Sequence, residues 1–93
     1  MFTIVELDMI ANAADFASTS YAVKGLVELK NRHRELFRAM STAEAGQKFT
    51  EDQLRNAIYA LSRIVTFYGE KENHRAAANN TKLMFKIVRS LDV

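Results

Sequence analysis

The sequence predicts an all-α fold, a small antiparallel bundle of three or four amphipathic helices. Three observations favour it. The chain has no proline and only three glycines, its apolar residues recur at spacings of three and four, and two segments begin with a helix-capping pattern. Strand-and-turn folds need proline and glycine at their corners. With 93 residues the chain has the size of one domain, so we expect residues 1–93 to form a single helical domain.

The first predicted helix begins after Thr3. Glu6 follows three residues later, and the two side chains can each accept a hydrogen bond from the other's backbone N–H in a capping box. Apolar residues then occur almost all round the helix, which is typical of a buried helix. We therefore expect helix 1 to be the most deeply buried. The polar run at 18–20 shifts the apolar phase and predicts a kink or short turn, with a continuous helix as the alternative.

A second helix is predicted over 20–41, and a loop over 41–48, where Gly46 favours a turn. The apolar positions of this helix alternate at spacings of four and three, which is a heptad-like pattern. The predicted buried seam is Ala22, Leu26, Leu29, His33, Leu36 and Met40, widened by Val23 and Phe37.

The third and fourth helices are predicted to form a hairpin. Thr50 and Gln53 repeat the capping box, and Gly69 predicts a left-handed end to helix 3. Helix 4 is predicted over 71–91. The expected core positions are Leu54, Ala57, Ile58, Leu61, Ile64, Val65 and Tyr68 on helix 3, and Ala77, Asn80, Met84, Ile87, Val88 and Leu91 on helix 4.

A row of cations lies along one side of helix 4, within about 60° on a helical wheel. We expect no acidic side chain to interrupt the row. It can act as a ridge that binds anions, or it can be a solvated face whose last cations complement the helix C-terminus. The ridge consists of Lys71, Arg75, Lys82, Lys86 and Arg89.

Two aromatic residues lie outside the predicted seams and beside cations. Tyr59 projects from the polar face of helix 3 between Arg55 and Arg63, and Phe85 flanks the ridge. A flanking aromatic is more often the edge of a core, but aromatic residues beside arginine are also typical of protein-interface hot spots. The predicted partner-binding residues are Tyr59, Arg63, Lys82, Phe85, Lys86 and Arg89.

Catalytic and metal chemistry have little support in the sequence. His33 has no second catalytic group at a defined spacing, so we interpret it as a core-edge histidine. A buried Asn80 is typical of residues that determine register or oligomeric state. Glu70 and His74 supply two ligands, fewer than a metal site needs. The chain lacks cysteine and the glycine-rich and nucleophile motifs of common enzymes. We expect no enzyme activity, no cofactor and no metal.

The leading hypothesis is a non-enzymatic protein-interaction module, a small inhibitor or adaptor that docks on a larger partner with an acidic surface. Small proteins of this type are often encoded by phages and other mobile elements, which favours that origin by association alone. Nucleic-acid binding through the ridge is the first alternative, although the net charge is only +2. A structural homo-oligomer, such as a homodimer through helix 1 and Asn80, is the second.

The sequence also predicts a cytoplasmic protein with no membrane partner. No apolar run approaches the roughly 20 residues that span a bilayer. The first residues lack the basic region and cleavage site of a signal peptide.

Overall fold

The computed structural model describes residues 2–91, and this part of the chain forms four α-helices and no strand. The helices are α1 (Ile4–Val23), α2 (Val27–Ser41), α3 (Glu51–Glu70) and α4 (His74–Leu91). α1 packs against α2 and α3, α4 packs on α3, and α2 meets α3 over a much smaller area. The prediction of a small all-α bundle is confirmed.

α1 lies at the centre of the bundle because its buried face carries mainly small side chains. Small residues let neighbouring backbones approach closely, so α2 and α3 can both pack on this helix. Thr3 begins α1 with the predicted capping box, in which Thr3 and Glu6 each accept a hydrogen bond from the other's backbone N–H. The buried residues of α1 are Leu7, Ile10, Ala11, Ala13, Ala14, Ala17 and Ser18.

The kink or turn predicted at residues 18–20 is absent, and α1 continues to Val23. The serine hydroxyls there are bonded to other helices: Ser18 Oγ donates to the carbonyl of Lys30 at 3.2 Å, and Ser20 Oγ accepts from Arg63. The polar run therefore belongs to helix–helix contacts. The chain reverses instead at Gly25, whose φ of +74° lies in the left-handed region that favours glycine.

The second helix consequently begins at Val27, and the prediction that it begins near residue 20 is wrong. The first part of the predicted seam lies on the surface: Val23 is 84% exposed and Leu26 is 44% exposed, and Ala22 is exposed as well. Of the remaining seam residues, His33, Leu36 and Met40 are buried as predicted, whereas Leu29 and Phe37 are half-buried.

The loop between α2 and α3 is anchored to the N-terminus. Gly46, with a φ of +81°, donates its backbone N–H to the carbonyl of Phe2 at 3.1 Å. The rings of Phe2 and Phe49 lie with their centroids 6.1 Å apart. Thr50 then begins α3 with the predicted capping box, completed by Gln53.

Gly69 does not end α3, because the helix continues to Glu70 and the left-handed residue is Glu72, with a φ of +57°. Helix 4 begins at His74 rather than at residue 71. Asn73 precedes it, and its Oδ1 accepts from the backbone N–H of Ala76. A side-chain cap of this kind stabilises the start of a helix. This cap was not predicted from the sequence.

The core face of both helices is rotated slightly from the prediction. On α3 the buried residues are Ala57, Ala60, Leu61 and Ile64, whereas Leu54, Ile58, Val65 and Tyr68 are half-buried. On α4 they are Asn80, Leu83 and Ile87. Ala60 and Leu83 were not expected. Both belong to the buried core, and which residues of α3 and α4 are buried depends on how these helices are oriented.

We expect Thr50→Ala to lower the free energy of unfolding by about 1 kcal/mol, because it leaves an N–H of the first turn of α3 without its cap. Thr66→Ala is the matched control, since the Thr66 hydroxyl donates to Ser62 inside the helix and caps nothing. Urea unfolding of both variants measures the difference. An equal effect of the two substitutions would contradict a capping role.

Candidate functional site

The outer side of α4 carries exposed cations around an exposed aromatic ring. We call Arg75, Lys82, Phe85 and Arg89 the α4 outer face. All four side chains are exposed, and Phe85 retains 53% of its surface. Among residues 2–91 none of the three cations forms an ion pair. The face thus presents uncompensated positive charge and apolar surface together.

Lys86 joins α4 to α1 and is not part of the α4 outer face. Its Nζ donates to both carboxylate oxygens of Glu6, at 2.8 and 3.0 Å, and lies 5.4 Å from the centroid of the Phe2 ring. Burial raises the pKa of Glu6, but its hydrogen bonds with Lys86 and Thr3 lower it more, so the net direction is downward. The prediction that no acidic side chain interrupts the ridge is therefore wrong at Lys86, because the packing of α1 places Glu6 against it.

Lys71 also lies apart from the α4 outer face. It belongs to the turn between α3 and α4, and its Nζ lies 5.8 Å from the centroid of the Phe67 ring on α3. Of the five cations predicted to form one ridge on helix 4, the structure leaves Arg75, Lys82 and Arg89 exposed along α4.

Tyr59 lies at a different place, on the rim of a groove between α2 and α3. The groove has a volume of about 580 Å³, and Tyr59 is 60% exposed. Of the residues that line it, none belongs to α4. Tyr59 and Phe85 were both predicted to bind a partner, and the structure does not bring them into one groove.

Arg63 points back into the bundle. Its Nη2 donates to Ser20 Oγ at 2.7 Å, and its guanidinium carbon lies 4.7 Å from the centroid of the Tyr21 ring. Its Nε is buried without a hydrogen-bond partner among residues 2–91. The predicted role of Arg63 as a partner-binding residue therefore has less geometric support than its role in joining α3 to α1.

His33 also lies beside Tyr21, with the two ring centroids 5.2 Å apart, and it is only 1% exposed. Its Nδ1 lies 3.0 Å from the carbonyl oxygen of Leu29, a distance that assigns the proton of the neutral ring to Nδ1. Burial lowers the pKa of His33, and the positive charges of Arg32 and Arg63 lower it further. The geometry fits the interpretation of His33 as a core histidine.

Asn80 and the Glu70–His74 pair provide little chemistry. Asn80 is 8% exposed, and its Nδ2 donates to the carbonyl of Ala76 on its own helix at 2.8 Å. Glu70 ends α3 and His74 begins α4, so the break between the helices separates them. In the part of the chain that the structure describes, no three histidine or acidic side chains converge on a point.

Two surface features of the structure were not predicted from the sequence. One is the groove between α2 and α3, which depends on how two helices separated by a loop are placed. The other is an apolar tip between α1 and α2, formed by Val23, Leu26 and Val27, which are 84%, 44% and 60% exposed. The signal for the tip was present, because Gly25 interrupts the helical pattern and glycine is a strong turn residue.

Comparison of the chain with models of protein families, with curated proteins and with solved structures finds no match. Within residues 2–91 no helix has the length and apolar character needed to cross a membrane.

We expect stability to fall between pH 7.5 and pH 5.5 because of His33. Its folded-state pKa lies below the ordinary value of 6.5, so the unfolded chain takes up the proton first as the pH falls through 6.5. The stabilisation is complete above pH 6.5 and is lost below it. In His33→Leu the free energy of unfolding should change much less between these two pH values.

His74→Asn is the matched control, because His74 is exposed. This variant should keep the pH dependence of the unmodified protein. Urea unfolding at both pH values tests the prediction, and a His33→Leu variant as pH-sensitive as the parent would contradict it. Glu6 does not disturb the comparison, since its pKa is lowered from 4.5 and it stays ionised at pH 5.5.

We expect a double-mutant cycle on Glu6→Gln and Lys86→Met to give a coupling energy of about 0.5–1 kcal/mol, as for a partly exposed ion pair. The glutamine side chain can retain the capping box, and the methionine side chain retains the apolar stem of the lysine, so the cycle isolates the charge interaction. The coupling should shrink in NaCl of about 1 M, where the Debye length is only about 3 Å. A coupling of zero at low salt would contradict a structural role for the pair.

Proposed function

We propose that this chain is a non-enzymatic protein-interaction module, an inhibitor or adaptor that docks through the α4 outer face on an acidic surface of a larger protein. The observation that carries the proposal is the exposed ring of Phe85 between the exposed cations Lys82 and Arg89. The ring provides apolar area and the cations provide orientation and rate of encounter.

The magnitudes favour a protein partner for this face. Burying a large apolar side chain completely contributes about 1.5–3 kcal/mol, and slightly more than half of the surface of Phe85 is still accessible. Three cations along one helix neutralise few phosphates, so affinity for nucleic acid would be low at physiological salt. An acidic protein surface with an apolar pocket would match both parts of the face.

The fold supports the proposal because the α4 outer face does not pack against the other helices of the bundle. The residues that pack α4 on α3 lie on its opposite side, where Asn80, Leu83 and Ile87 are buried. Lys86, at the edge between the two sides, is paired with Glu6. The outer face can therefore be covered by a partner without rearrangement of the helices.

We expect a photocrosslinking amino acid, p-benzoylphenylalanine, at position 85 to capture a discrete protein in cells of the organism that encodes the chain. The yield should fall several-fold when Lys82→Glu and Arg89→Glu are added, because both charges then repel an acidic partner. Denaturing gels before and after nuclease treatment, followed by mass spectrometry, identify the captured molecule.

The matched control carries the same crosslinker at Val23. This residue is more exposed than Phe85 and ends α1, at the turn that leads to α2. Capture of the same protein from both positions would indicate non-specific contact and contradict the proposal. Crosslinked bands that disappear with nuclease would instead indicate nucleic-acid binding. A band at twice the mass of the chain would indicate self-association.

A further inference from the structure

The groove between α2 and α3 has exposed carboxylates, whereas the α4 outer face has exposed cations. It is about 580 Å³ in volume, within the range of roughly 300–1,000 Å³ typical of ligand sites. Leu36, which is 3% exposed, lies beneath it. Its polar lining comes from both helices: Arg32 and Glu35 on α2, and Asp52, Gln53, Arg55, Asn56 and Tyr59 on α3.

The two arginines of the groove are already neutralised by acids of their own helices. Arg55 donates to Glu51 from Nε and Nη2, at 3.1 and 2.6 Å, and these hydrogen bonds raise the pKa of its guanidinium. Arg32 lies 3.4 Å from Glu28 in an ion pair. Neither arginine therefore offers a free positive charge to a ligand.

The two carboxylates that line the groove are compensated less than the arginines, although the charge of Asp52 contributes to the raised pKa of the Arg55 guanidinium. Among residues 2–91, neither Glu35 nor Asp52 takes part in an ion pair, and both are exposed. They stand on opposite walls, one on α2 and one on α3. The groove is lined by two carboxylates and two guanidiniums, and each guanidinium is paired with a further acid, Glu28 or Glu51, so these groups together are negative in a chain whose net charge is +2.

Tyr59 adds an aromatic surface at the rim, with 60% of its area accessible. The face of a tyrosine ring attracts cations, and a guanidinium also stacks on it because both groups are planar. Asn56 supplies an amide oxygen nearby that can accept a hydrogen bond. A planar cation with several N–H donors uses all of these groups, whereas a phosphate or a carboxylate would be repelled by Glu35 and Asp52.

We propose that this groove binds an arginine side chain presented by a partner protein, with its guanidinium between Glu35 and Asp52 and stacked on Tyr59. The proposal does not depend on docking through the α4 outer face, because the two surfaces share no residue. Under the two proposals the chain has two binding surfaces of opposite charge. The α4 outer face binds an acidic surface, and the α2–α3 groove binds a basic side chain.

The probe for the test is N-acetyl-L-argininamide, whose only charge is the guanidinium. It is titrated into the ¹⁵N-labelled protein, and amide chemical shifts are followed by NMR. The expected result is saturable movement of amides in residues 32–36 and 52–59. N-acetyl-L-citrullinamide, an uncharged analogue of almost the same shape, should move them much less.

Substitutions in the groove should weaken binding of the probe. Glu35→Gln, Asp52→Asn and Tyr59→Leu are each expected to raise the dissociation constant about two- to fivefold, the effect of losing one exposed charge pair or cation–π contact. Asp8→Asn removes an exposed acid of α1 that does not line the groove and should leave it unchanged. All the substituted side chains are exposed, and thermal unfolding verifies that each variant is folded.

Several outcomes would overturn the proposal. Equal shifts with the citrulline analogue would show that the charge is not recognised. Shifts outside the groove, or binding unaffected by the groove variants, would place the probe elsewhere. Saturable binding of spermidine at the groove without binding of the arginine probe would identify a polyamine site instead.

Discussion

The close packing of α1 is the constraint on which the rest of the structure depends. Ala13, Ala14 and Ala17 are completely buried, and side chains this small let α2 and α3 approach α1 from two sides. Because α2 packs mainly on α1, it stands away from α3 and leaves a groove between them. Because α4 packs on α3, its outer face remains in solvent. The groove thus follows from the position of α1, and the exposed α4 outer face follows from the packing of α4 on α3.

The polar groups inside the bundle show how the helices are held at the correct register. Ser18 bonds to a carbonyl of α2, Arg63 of α3 bonds to Ser20 of α1, and Asn80 bonds within α4. Buried polar groups cost free energy unless they are paired, so a shift of α1 along α2 or α3 would break the bonds of Ser18 and Ser20. The bond of Asn80 lies within one helix and does not depend on that register. His33 and Arg63 are incompletely paired, because His33 Nε2 and Arg63 Nε are buried without a hydrogen-bond partner among residues 2–91.

Positive and negative side chains are concentrated on different surfaces of the protein, which the net charge does not show. A net charge of +2 describes an almost balanced chain, yet the α4 outer face has unpaired cations and the α2–α3 groove has unpaired carboxylates among the residues that the structure describes. Opposite charges on separate surfaces discriminate between partners better than a uniform charge does, since a wrong partner meets repulsion on at least one of them. This division supports the recognition role that we propose.

The sequence by itself determined the fold class and the starts of α1 and α3, because a capping box is completed within four residues. It did not determine where α1 ends, since the partners of Ser18 and Ser20 lie 12 and 43 residues away. Nor did it show that Lys86 is paired, because Glu6 is 80 residues away. Local patterns specify helices, and only their packing decided which cations stay free and where a groove opens.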